Sequence, residues 1–272
     1  MNNYESIGKL SKPPLVYTAS FLFISLPNIQ EYIGKIQDRL RDDYPGFSTM
    51  EMTVNDINPI TGQRKDQAIT HYVMNDPDLN CGIVVTANRL IFQTVDYSHF
   101  KDFGEKFARI IEVVVEITKL RHHSGLAFRQ VDNISAVEGE IGLSDCITGE
   151  FIGPELDAIR GVSRNYSRQE HTYTIQNNTS VIIRTFSFEN IQGQGIPHDL
   201  VPLIISLNPD IMGREPKKGF MLADFEVIRN LDGKYVPMDT KKIVSDLDSF
   251  HEYASLAFRK VIKPDALDRR RM

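Results

Sequence analysis

Two carboxylates, Asp224 and Glu226, stand two residues apart in the stretch Phe220 to Arg229, which reads as a strand. That spacing sends both side chains to one face of a strand. Two acids on one face can share general acid/base work or hold a divalent cation for a hydrolase or nuclease. The competing reading is a polar face alternating with Phe225 and Val227. A second acidic pattern, Asp210 with Glu215–Pro216–Lys217, spells the Asp…Glu-x-Lys order of metal-dependent nucleases. That chemistry needs the acids and the lysine on adjacent strands. Here a proline interrupts a segment with loop composition, so the pattern is set aside.

The remaining reactive residues stand singly. His122–His123 follow a long helical pattern, where neighbours point about 100° apart and cannot clamp one metal. His99, His171, His198 and His251 lack an HExxH-type partner. Gly193–Gln194–Gly195 lacks the strand–turn–helix setting of a phosphate loop. Cys81 sits after Asn80 in a turn with no local base to make a thiolate. No set of residues points to a cofactor or a structural metal. Arg121, Arg129, Arg164 and Arg168, with the tail Arg269–Arg270–Arg271, are the cations available to nucleic acid or to an acidic partner.

The elements that must position these residues are legible from periodicity. Leu15 to Ser25 reads as a strand, and Asn28 with Glu31 as a capping box opening a helix with apolar Ile29, Ile33, Ile36 and Leu40. Strands are predicted at 49–54, 68–74, 82–86 and 89–94, with a loop over 55–67. Ser98 is the expected cap of a long helix whose stripe is Phe100, Phe103, Phe107, Ile110, Val114 and Ile117. A strand follows over 126–133, and another is expected around 146–152. Asn177–Asn178 joins Tyr173 to Gln176 and Ser180 to Phe188 as a hairpin. Residues 190–219, dense in proline and glycine, read as a long loop with a short strand at 203–207. Thr240 is the expected cap of a last helix with Ile243, Leu247, Phe250, Ala254, Phe258 and Val261 on one face.

Each half thus runs strands and then a long amphipathic helix. The expectation is an α+β protein of two sequential units, 1–135 and 136–272, each an antiparallel sheet covered by its own helix, or one continuous domain. The 272 residues are enough to bury a large core without disulfides or metals. Cys81 and Cys146, far apart and outside any CxxC, fit a reducing, cytoplasmic setting. The apolar run Leu15 to Leu26 is interrupted and too short for a membrane span. A net charge of −5 gives no global attraction to nucleic acid.

Several of these features occur together in a pattern: Pro13–Pro14 before a strand; Tyr44–Pro45–Gly46–Phe47; Thr94–Val95–Asp96–Tyr97 followed by Phe100 and Phe103; the segment Ser124 to Ile134; and a terminal helix with His251 and Phe258. In these the chain resembles a sporadically distributed family of uncharacterised prokaryotic proteins of about 250–280 residues. The resemblance spans most of the chain and is best over 85–134. It implies a bacterial or archaeal origin and the patchy inheritance of mobile and defence-associated genes, and it carries no catalytic residues across. The sequence therefore points first to a non-enzymatic binding subunit of a bacterial accessory system, of the antiviral-defence or toxin-control kind. Its partner would be another protein, encoded nearby, or a second copy in a homo-oligomer. A hydrolase using Asp224 and Glu226, and a nucleic-acid-binding protein, are the alternatives.

Overall fold

The computed structural model describes residues 15–57, 64–97, 99–137, 139–154, 162–175, 178–191, 196–197, 199–201, 219–231 and 233–270. Along the chain run β1 (Val16–Phe23), α1 (Gln30–Leu40), β2 (Gly46–Ile57), β3 (Arg64–Asn75), β4 (Cys81–Val85), β5 (Arg89–Thr94), α2 (Phe100–Thr118) and β6 (His122–Ser135). Then come α3 (Leu143–Cys146), α4 (Gly149–Ile152), β7 (Tyr166–Ile175), β8 (Thr179–Phe188), β9 (Phe220–Asn230), β10 (Val236–Pro237), α5 (Thr240–Val261) and α6 (Pro264–Asp268).

Among the described residues the strands form one antiparallel sheet in the order β2-β3-β4-β5-β1-β6-β9-β8-β7, with β10 beside β6. This overturns the expected pair of sheets, each under its own helix. The join is β6 on β9, paired from Gly125 with Asn230 to Ser135 with Phe220. The cause lies in β6 itself. Gly125 to Asp132 are all buried, so the backbone N–H and C=O groups on both edges of the strand are enclosed and must be paired, which takes a strand on each side. Alternation within a strand reports its faces but not its neighbours.

One sheet face carries Tyr17, Ala19, Phe21, Phe92, Phe128 and Phe225, packed with the helices into the main core. Phe103 and Phe107 of α2 meet Phe92 of β5, with ring centroids 5.0 and 6.4 Å apart. Phe258 of α5 meets Phe225 of β9 edge-on. α5 touches β6, β8, β9 and α2, so it spans strands from both halves of the chain rather than serving one unit. On the far face, Val16, Val131, Leu222 and Phe220 bury against Ile196 and Leu200. At Gly125 a Cβ would lie 2.8 Å from the Arg229 carbonyl oxygen, so only glycine lets β6 and β9 approach this closely.

Several local expectations are corrected. Residues 143–152 form the short helices α3 and α4 rather than a strand. The cap of α5 is Asp239, whose side chain accepts from the Lys242 backbone N–H, and not Thr240. α1 begins without a side-chain cap, so Asn28 and Glu31 form no capping box. α2 ends at Thr118 with Lys119 left-handed, which places His122 and His123 in β6, on opposite faces of the strand. Ser98, Asn177, Gly193–Gln194–Gly195, Asp210, Glu215–Pro216–Lys217 and the strand expected at 203–207 lie outside the described residues.

Candidate functional site

Asp224 and Glu226 do share a face of β9, the one turned away from the helices. Register sets their neighbours: Arg184 of β8 and then Glu170 of β7 lie opposite Asp224, while Arg129 of β6 lies opposite Glu226. Arg129 donates from Nε and Nη2 to the two Asp224 carboxylate oxygens, both at 2.7 Å, and from its Nη atoms to Asp199. Arg184 donates to Asp224 (3.3 Å), Glu226 (2.9 Å) and Glu170 (3.0 Å). Asp224 is fully buried and Arg129 nearly so. Burial works against the Arg129 charge, but hydrogen bonding and attraction from Asp224 and then Asp199 outweigh it, and its pKa is raised. The same balance, with Asp224 and Glu226 as partners, raises that of Arg184.

The two acids therefore face guanidiniums. Asp224 already accepts three charge-assisted hydrogen bonds, and a divalent cation there would have to displace two arginines. Among the described residues, no group of three His, Cys, Asp or Glu is placed to hold a metal ion. The four expected contact arginines also divide. Arg129 is spent inside the cluster. Arg164 is held by Glu189 and by the carbonyls of Ile152 and Gly153. Arg121 is exposed near the start of β6, and Arg168 is exposed on β7 with its guanidinium 5.4 Å from the Phe186 ring centroid. The basic tail is not solvated at Arg270, which is buried and donates to both carboxylate oxygens of Glu140 at 2.7 Å.

β7 is the outermost strand on its side of the sheet among the described residues. None of its ten residues is buried, whereas every second residue of β8 is. The hydrogen-bond phase of β7 follows from its entry: Glu189 N–H donates to Asn165 O, the pair just before Tyr166 with Phe188. Antiparallel pairs alternate between bonded and non-bonded. So Ser167, Gln169, His171 and Tyr173 bond to β8, while Tyr166, Arg168, Glu170, Thr172 and Thr174 turn N–H and C=O away from it. The donor from Leu231 N–H to Ser124 O sets the phase between β9 and β6, and carried across β8 it gives the same parity.

A second polar cluster, between sheet and helices, was missed in the sequence. Asp132 of β6 is enclosed, and burial pushes its carboxyl up to about 7 despite the hydrogen bond it accepts from Gln130 at 2.8 Å. Burial, then Tyr97 and Asp132, hold the Tyr17 phenol well above its usual range. His251 of α5 stacks on Phe100 at 3.9 Å, and burial lowers it to about 4. The available signal was an acid on the same face as Phe128 and Gln130 within the strand Leu126 to Ile134. Elsewhere, a hollow of about 370 Å³ is lined by Asp42, Asp43, Asp76, Cys81, Lys106 and Arg109. Burial raises the Cys81 thiol, which opposes a nucleophilic role.

No known family model matches this chain, and no curated protein matches it in sequence. No helix among the described residues is long and apolar enough to cross a membrane.

Proposed function

We propose that this protein is a non-enzymatic binding subunit that takes up an extended segment of a protein partner at the edge of β7. The observation that carries the reading is a ten-residue strand, outermost among the described residues and unburied on both faces, with alternate backbone groups directed outward. Such an edge is a template for strand addition: the main chain supplies affinity and the alternating side chains supply specificity. Arg168, Glu170 and Tyr166 are the side chains that accompany the outward amides. The engagement of Asp224 by two guanidiniums and of Glu226 by one favours this over the hydrolase reading, and the dispersal of the four arginines favours it over nucleic acid. Two free, buried cysteines support a reducing, cytoplasmic setting. The resemblance supports a bacterial accessory system, of the antiviral-defence or toxin-control kind, as its context.

The test is Thr172→Pro. The Thr172 N–H points away from β8, so proline there removes an outward donor and leaves the β7–β8 ladder intact. The full chain, tagged and expressed at native level, is purified with what it holds. The variant should retain its partner on the order of tenfold less well, with an unchanged unfolding midpoint. A partner held equally by both proteins overturns the reading.

A further inference from the structure

We infer that the segment β7 accepts is β7 of a second copy of this chain, paired antiparallel about a two-fold axis at Gln169. The inference rests on the strand-addition reading and names its partner. Across the sheet the row Asp224, Arg184, Glu170 alternates in sign and ends at the edge on an anion. Among the described residues the ion-pair cluster sets four carboxylates (Asp199, Asp224, Glu226, Glu170) against two guanidiniums (Arg129, Arg184). It thus carries two negative charges in excess at this edge. Two residues from Glu170 and on the same face, Arg168 touches the Phe186 ring and, among the described residues, no carboxylate.

Hydrogen-bond phase limits how two copies can meet. The outward groups belong to even-numbered residues, so even must oppose even. Three central registers satisfy that. Arg168 opposite Arg168 sets like charges together, and so does Glu170 opposite Glu170. The third, with the axis at Gln169, sets Arg168 opposite Glu170 on both sides of the axis and Tyr166 opposite Thr172. It extends the alternating row by one cation, which offsets one of the two excess charges in each copy. Opposite charges directly across a ladder are favourable and like charges unfavourable, so the register is selected.

Mass measurement over a concentration series tests this on the full chain. The wild-type protein should form a dimer. Arg168→Glu alone and Glu170→Arg alone should each weaken it by about tenfold or more. An equimolar mixture of the two variants should recover it, because both pairs across the two-fold axis, 168 with 170 and 170 with 168, are then again of opposite sign. Thr172→Pro removes two outward donors per dimer and should weaken it by roughly a hundredfold whatever the charges. A wild-type chain that stays monomeric, a dimer indifferent to the single reversals, or a mixture no tighter than either variant each overturns the proposal. A monomeric wild type whose partner capture is lost in Thr172→Pro leaves strand addition standing and removes only the second copy. A partner capture that Thr172→Pro leaves unchanged removes both.

Discussion

Asp224 and Glu226 look alike in the sequence and sit in different environments in the structure. Asp224 is fully buried between two guanidiniums, and Glu226 is partly exposed beside one. Asp224→Asn weakens three hydrogen bonds to guanidiniums at a buried site, each worth about 1.5–3 kcal/mol, although Arg129 keeps Asp199 and Arg184 keeps Glu226 and Glu170; for a partly exposed pair the cost is about 1 kcal/mol or less. Asp224→Asn should therefore lower urea stability several times more than Glu226→Gln. Equal and small effects would contradict the cluster's structural role. Asp132 gives a pH signature. Its folded pKa, near 7, stands above the ordinary carboxylate value. The enclosed neutral acid thus favours the folded state below about pH 4, and this contribution is lost as pH rises to about 7. His251 works in the opposite sense: lowered to about 4, it favours the folded state above its ordinary value near 6.5, and this is lost on acidification. The two overlap, so the difference between wild type and Asp132→Asn is the quantity to measure. The variant should gain, relative to wild type, on the order of 2–4 kcal/mol between pH 4 and pH 7.5. A pH-independent difference would contradict it.

At the level of elements, α2 is held by Phe103 and Phe107 against Phe92, with Phe107 fully buried. Phe107→Ala should cost about 3–5 kcal/mol, read from denaturant unfolding; a loss under 1 kcal/mol would show that the helix packs otherwise. The stripes of α2 and α5 were legible in the sequence because a helix shows its buried face as a local period. The hairpin β7–β8 was legible only next to its turn, over 173–176 and 180–188, where the alternation is local; the part of β7 from Tyr166 to Thr172 was not. The single sheet was not. Its defining contact, β6 on β9, joins segments separated by two other strands, and nothing in either segment names the other. The ion cluster was hidden for the same reason: Arg129 and Asp224 are 95 residues apart. Asp224 and Glu226 were correctly placed on one face, but their chemistry was set by arginines that only the topology supplies. The strand expected at 146–152 became two short helices because apolar Cys146, Ile147, Phe151 and Ile152 bury equally well either way.

At the level of the whole molecule, the chain end is tied to its middle. Arg270 is buried and donates to Glu140, to the Ser135 carbonyl at the end of β6 and to Ala266. Hydrogen bonds from Arg270 lead the effects that hold the Glu140 carboxyl down at about 2, against its burial. This contribution to stability is complete above the ordinary glutamate value near 4.5 and is lost as pH falls through about 2. Arg270→Ala leaves Glu140 with Arg269 and the Val137 N–H alone, so it should lower neutral-pH stability by about 1–3 kcal/mol and raise the midpoint of acid unfolding. No change in either would release the tail from this role. Among the described residues the sheet ends at β7, and binding there is the central claim. Residue-resolved hydrogen exchange tests it most directly, comparing the chain in its natively purified assembly with the same chain stripped to a monomer. The amides of Arg168, Glu170 and Thr172 should be protected in the assembly and fast in the monomer, while those of Gln169 and His171 stay protected in both. Equal exchange at Arg168, Glu170 and Thr172 in the two states would contradict it.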